Sequence, residues 1–209
     1  MILEQMLALS PVMPVVTIAD AASAPLLARA LLAGGIGAIE ITLRTPAALE
    51  AIRRVAGEVP QMALGAGTIL SVADAFAAAD AGAHFLVSPG LTPALAQAAR
   101  DCPAPLLPGV ATASEAMAAR EFGFRLLKLF PAEAAGGRAL LKSLAGPLPD
   151  LRFCPTGGIS LETAPDYLAL GNVICVGGSW IAPDAAIAAG DWAGITARAR
   201  AVAALRRLA

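Results

Sequence analysis

The chain has 209 residues, 57% of them hydrophobic and 15% charged, with a formal net charge of −1 at pH 7. Such a composition excludes a disordered chain. With no basic cluster larger than Arg206-Arg207, it also excludes a nucleic-acid surface. Mean hydropathy is high, +0.70, but the long uncharged stretches are interrupted by Pro11 and Pro14 and by Gly171, Asn172, Gly177 and Gly178. A membrane-spanning helix needs roughly 20 continuous apolar residues, so no membrane partner is expected. The opening Met1-Ile-Leu-Glu4 has no basic segment ahead of an apolar one and reads as no signal peptide, which points to a soluble, cytoplasmic protein.

Taken in chain order, apolar runs rich in strand formers fall at 12–18, 38–43, 61–66, 85–88, 105–107, 125–130, 151–155 and 173–176. Between them lie alanine-rich helical stretches at 22–33, 46–57, 71–81, 92–100, 113–121, 137–145 and 161–169, with a last helix over 191–207. Strand–helix alternation implies parallel βαβ units. Strands that are apolar throughout imply burial on both faces. No linker divides the chain, so residues 1–209 are expected to form a single (β/α)8-barrel (TIM barrel) domain. A doubly wound open sheet is the structural rival. It usually carries a glycine fingerprint after its first strand, whereas here Ile18-Ala-Asp-Ala follows.

Charged residues inside apolar strands carry the chemical signal. Lys128 stands in Arg125-Leu-Leu-Lys-Leu-Phe-Pro131, where alternation places it on one face with Leu126 and Phe130. The chain has two lysines against thirteen arginines, so a lysine here suggests a need for an amine rather than for a charge. Arginine stays protonated and forms no imine. Burial favours a neutral amine, and a neutral amine attacks carbonyl carbon. The competing structural reading is a strand-end lysine that reaches solvent or pairs with a carboxylate. Lys142 fits a solvated helix face.

Glu40 lies in the second strand, on a face with Ala38 and Thr42. A carboxylate there must be paired or protonated, and beside a buried amine it can shuttle protons. A structural ion pair is the alternative. Arg44 follows at the strand's C-terminal end, where barrel active sites lie, and its fork suits a carboxylate. Pro155-Thr-Gly-Gly-Ile159 and Val176-Gly-Gly-Ser-Trp180 follow the last two strands, the usual place for phosphate in a barrel. Thr68, in Gly65-Ala-Gly-Thr68, and Thr156 offer hydroxyls. His84 precedes the fourth strand and reads as structural. Cys102, Cys154 and Cys175 are far apart and, with one histidine, make no zinc pattern, so no metal or cofactor is expected.

Glu40-Ile-Thr-Leu-Arg-Thr45, Gly65-Ala-Gly-Thr68, Ser88-Pro-Gly-Leu-Thr92, Lys128-Leu-Phe-Pro-Ala-Glu133 and the two glycine motifs occur in this order. Over nearly the whole chain the set resembles the 2-keto-3-deoxy-6-phosphogluconate (KDPG) aldolases, which overlap with the 4-hydroxy-2-oxoglutarate (KHG) aldolases. Ala113 departs from the pattern, standing where many members carry proline. The resemblance implies a class I aldolase, usually a homotrimer, acting on a small keto-acid phosphate. It implies Lys128 as the Schiff-base lysine and Glu40 as the general acid–base. It further implies that Arg44 and Thr68 hold the carboxylate end of pyruvate. Pro89, Phe130 and Thr156 line its pocket, and Gly157, Gly158, Gly178 and Ser179 take the phosphate. KHG cleavage at the same site, a galactonate-configured substrate, and a non-covalent sugar-phosphate barrel remain as alternatives.

Overall fold

The computed structural model describes residues 1–205. The Arg206-Arg207 pair and the end of the helix expected over 191–207 lie outside the described residues. Strands and helices alternate along the chain: α1 (Leu3–Leu7), β1 (Val12–Val16), α2 (Ala24–Ala33), β2 (Ala38–Thr42), α3 (Ala48–Glu58), β3 (Ala63–Gly67), α4 (Val72–Asp80), β4 (Phe85–Val87) and α5 (Pro93–Ala98). They continue with β5 (Leu106–Leu107), β6 (Gly109–Val110), α6 (Ala113–Glu121), β7 (Leu126–Leu129), α7 (Gly137–Ala145), β8 (Arg152–Pro155), α8 (Ala164–Leu168), β9 (Val176–Gly178), α9 (Asp184–Ala188) and α10 (Trp192–Ala203). A 3-10 turn at Ala21–Ser23 leads into α2.

The result is a parallel α/β fold. One six-stranded sheet has the order β5-β4-β3-β2-β1-β9, and a three-stranded sheet has the order β6-β7-β8. All paired strands are parallel. The fifth expected run, 105–107, is β5, and a further short strand not expected from the sequence, β6, follows after Pro108, whose nitrogen carries no hydrogen for a ladder. Between β8 and the β9 segment the structure has isolated parallel bridges, Phe153 with Val173 and Thr156 with Gly177.

Period-2 alternation sorts the strand residues onto two buried faces. Val12, Ile39, Ile41, Leu64, Leu86, Leu127, Leu129 and Phe153 join the helices in the larger core cluster. Met13, Ala38, Ala63, Phe85, Val87, Leu107 and Cys154 form a smaller cluster on the opposite face, with Met6 and Leu7 of α1 packed against it. Glu40 and Lys128 project on this second face, by their spacing from Ala38 and Leu126. Helix starts follow local capping rules: Ser71 and Thr112 each accept from the backbone three residues on and complete capping boxes, and Thr92 caps α5 ahead of Pro93.

Helices α1 and α9 were not expected from the sequence, and β9 begins later than the run at 173–176. Gly177 and Gly178 are strand residues, in register with Met13 and Pro14. A side chain at Gly178 would fall 1.7 Å from the Trp180 ring, so glycine here is the consequence of a close approach rather than of a turn. Among the described residues no helix is long and apolar enough to cross a membrane.

Candidate active site

The C-terminal ends of the strands converge on a cleft of about 520 Å³. Lys128 and Glu40 meet at its base, although 88 residues separate them in sequence. Lys128 is 6% exposed and Glu40 3%. Lys128 Nζ donates to Glu40 Oε1 at 3.3 Å and lies 5.3 Å from the centre of the Phe130 ring. Removing one member of such a pair leaves a buried charge without a partner, which costs about 3–5 kcal/mol. Each therefore holds the other in place.

Gly67 supplies the space. A Cβ at this position would lie 2.1 Å from Glu40 Oε1 and 2.7 Å from its Cγ and Cδ. The glycine of Gly65-Ala-Gly-Thr68 thus leaves room for the carboxylate, a role the sequence reading did not assign. Next to it, Thr68 adopts φ +60°, unusual for a β-branched residue. Its Oγ1 accepts from Arg44 Nε at 3.0 Å. Arg44 and Thr68 are thereby one unit at the mouth of the cleft.

The far wall is the segment after β8. Gly157 and Gly158 have φ +103° and +81°, in the left-handed region open to glycine. Backbone N–H groups of Ala132 and Glu133 donate to the carbonyls of Thr156 and Gly157, tying this segment to the end of β7. Glu133 packs directly on Gly158 and accepts a hydrogen bond from Tyr167, which is fully buried. Burial, reinforced by that hydrogen bond and the charge of Glu133, holds the Tyr167 phenol protonated well above the ordinary tyrosine range.

Most of the expected site residues come together here: Arg44, Lys128, Phe130, Thr156, Gly157, Gly158, Gly178 and Ser179 all line the cleft. Glu40 joins through Lys128, and Thr68 through Arg44. Pro89 does not line the cleft; its carbonyl backs onto Gly109. The cleft also has lining residues that sequence reasoning passed over, among them Val15, Thr17, Trp180 and Asp184. Alternation along β1 could have found Val15 and Thr17, since both stand on the face of Met13. His84 lies away from the cleft, on a cavity beside Met62 and Ala104, and its Nδ1 accepts from the Leu64 N–H at 3.1 Å. Among the described residues no cluster of three or more His, Cys, Asp or Glu could hold a metal ion.

Known proteins with this sequence pattern and fold are numerous. The family model described as "Aldolase: KDPG and KHG aldolase" matches residues 3–198. The 2-dehydro-3-deoxy-phosphogluconate aldolase of Pseudomonas aeruginosa is 54% identical over 182 residues, 87% of this chain and 83% of the relative. The KHG/KDPG aldolase of Escherichia coli is 47% identical over 197 residues, 94% of this chain and 92% of the relative. The crystal structure of KDPG aldolase from Legionella pneumophila, with pyruvate captured as a covalent carbinolamine intermediate, superposes with a TM-score of 0.94 at 44% identity, covering 96% of this chain and 98% of that one. The Zymomonas mobilis KDPG aldolase with 3-phosphoglycerate gives 0.92 at 46% identity, covering 98% of this chain and 96% of that one. Matched along nearly its whole length by sequence and by fold, the chain belongs to the KDPG and KHG aldolase family.

Proposed function

We propose that this chain is a class I aldolase that cleaves KDPG to pyruvate and D-glyceraldehyde 3-phosphate through a Schiff base on Lys128. The observation that carries the proposal is the buried Lys128 amine held 3.3 Å from the Glu40 carboxylate at the base of the cleft. Its support from relatives is the covalent carbinolamine of the Legionella enzyme and the 3-phosphoglycerate complex of the Zymomonas enzyme.

Glu40 takes a proton from Lys128, and the free amine attacks the C2 ketone to form a carbinolamine. Glu40 returns that proton to the C2 oxygen and relays a second one to it from the carbinolamine nitrogen, so that the oxygen leaves as water, an iminium remains and Glu40 is again ionised. Now a carboxylate, Glu40 accepts the proton of the C4 hydroxyl. The C3–C4 bond breaks, its electron pair passes into the iminium as an enamine, and the aldehyde departs. Protonation at C3 and hydrolysis release pyruvate and restore the amine. The iminium serves as the electron sink that a Lewis-acid metal supplies in other aldolases.

Arg44, oriented by its bond to Thr68, takes the substrate carboxylate with its terminal nitrogens. Phe130 and Thr156, which line the cleft, bound the pyruvate half. Backbone N–H groups around Gly157, Gly158, Gly178 and Ser179 take the phosphate. The proposal extends to the architecture: one domain in which β5 and β6 are halves of one strand and the two sheets close as a (β/α)8 barrel. The Phe153–Val173 and Thr156–Gly177 bridges support that closure. It extends to a homotrimer, for which exposed Leu70 and Met117 offer apolar surface to cover. It extends also to a cytoplasmic location, where a charged sugar phosphate is made and retained.

KHG cleavage is the second reading, favoured by the E. coli relative named for both activities. The test is kcat/KM for KDPG and KHG side by side, read as pyruvate release. A preference for KDPG is expected, since KHG has no phosphate for the glycine segments. Turnover of neither would refute the proposal.

A further inference from the structure

Thr17 is a polar residue of the cleft to which the mechanism gives no task. It follows β1, whose neighbours are β2, bearing Glu40 and Thr42, and β9, bearing Gly178. Its hydroxyl is half-buried and lies 3.0 Å from that of Thr42. Thr42 is 1% exposed, and its Oγ1 also stands 3.0 Å from the Val16 carbonyl. These contacts fix the direction of the chain. A carbonyl can only accept, and each hydroxyl has one proton to give. Both bonds form only if Thr42 donates to Val16 O and Thr17 donates to Thr42. With its proton committed, Thr17 can offer the cleft only lone pairs: it is an oriented acceptor.

This inference rests on the aldolase reading above. In that reading C4 of the substrate is at Glu40 and the C6 phosphate at the glycines after β8 and in β9. Thr17 stands between those two places, where C5 must pass. We propose that Thr17 accepts a hydrogen bond from the C5 hydroxyl and so selects substrates whose aldehyde half carries a hydroxyl next to the carbonyl carbon. An acceptor oriented in this way rewards a hydroxyl and gives no bond to a methylene.

The condensation direction isolates that hydroxyl. Pyruvate is condensed with D-glyceraldehyde 3-phosphate or with 3-phosphopropanal, which has the same length and phosphate but lacks the hydroxyl at issue. The wild-type chain is expected to favour the hydroxylated aldehyde in kcat/KM by roughly fivefold or more, the worth of one neutral hydrogen bond. Thr17→Val should bring the ratio close to one by losing rate on the hydroxylated aldehyde alone, and Thr17→Ser should keep the wild-type ratio. Thr17→Ala serves the same test should the valine fail to fold. An unchanged ratio in Val and Ala variants, or an equal loss on both aldehydes, overturns the proposal while leaving the aldolase reading intact. A wild-type chain that condenses neither aldehyde overturns both.

Discussion

Gly67→Ala tests whether the close packing around Glu40 is part of the catalytic apparatus. The added methyl would arrive 2.1 Å from Glu40 Oε1, with the carboxylate's own carbons 2.7 Å away. Atoms do not tolerate such distances. The strand cannot yield easily, because Gly67 is paired with Thr42 in the β2–β3 ladder. The carboxylate must therefore swing aside, lengthening its 3.3 Å contact to Lys128. Overpacking of this kind costs about 1–3 kcal/mol of stability, or roughly 2–4 °C of melting temperature per kcal/mol for a chain of this size. The catalytic loss should be far larger, because a positioned acid–base contributes about 10²–10⁴-fold. The assay is kcat for pyruvate release alongside a thermal melt by circular dichroism. A variant that melts within several degrees of wild type but has lost about a hundredfold or more in kcat supports the reasoning. A variant with near-native kcat would show that Glu40 can work from elsewhere, or does not work at all.

Other consequences follow from the same contacts. Gly178→Ala sets a methyl against the Trp180 ring, 1.7 Å from its nearest carbon. It should raise KM for the phosphorylated substrate about tenfold or more, the equivalent of roughly 1.4 kcal/mol, and spare KHG, as steady-state kinetics on both would reveal. Tyr167 gives a pH signature. In the unfolded chain its phenol ionises near pH 10, whereas in the folded chain burial and Glu133 keep the proton on. Its contribution to stability is therefore full below about pH 10 and is lost as the pH rises further. Melting temperatures from pH 7 to 11 should fall more steeply above 10 in wild type than in Tyr167→Phe, and parallel curves would contradict this.

Much of the scaffold is visible in the sequence because two periodicities alternate along it. The continuous apolar strands and the intervening alanine-rich helices report burial directly, and helices α6 and α7 begin and end where periodicity and turn residues place them. What is short or dictated by neighbours is not visible. Helix α1 has five residues, too few for a period, and is held by Met6 and Leu7 packing under the strands. Gly177 and Gly178 read as a loop because glycine disfavours strands, yet pairing with β1 and the close approach of the Trp180 ring make them strand residues. Strand β6 has two residues, Gly109 and Val110, behind Pro108, where the apolar run presents itself as ending at Leu107.

The site shows the same split. A lysine and a glutamate inside apolar strands stand out in one dimension, since each would be costly alone. That they pair with each other is a property of the tertiary fold, which brings a side chain of β2 in one sheet to a side chain of β7 in the other. Thr17 carries no charge that would stand out, and threonine is ordinary in a strand; alternation can place it on the cleft face, but its hydrogen bond to Thr42 is visible only in the structure.

The most direct measurement is chemical trapping at Lys128. Incubated with pyruvate and sodium borohydride, the protein should lose activity and carry one 1-carboxyethyl group, located by peptide mass spectrometry on Lys128 and not on Lys142. Lys128→Arg, which keeps the charge but forms no imine, should be neither labelled nor active. Full activity in that variant, or a label found only on Lys142, would contradict a Schiff-base mechanism at this site.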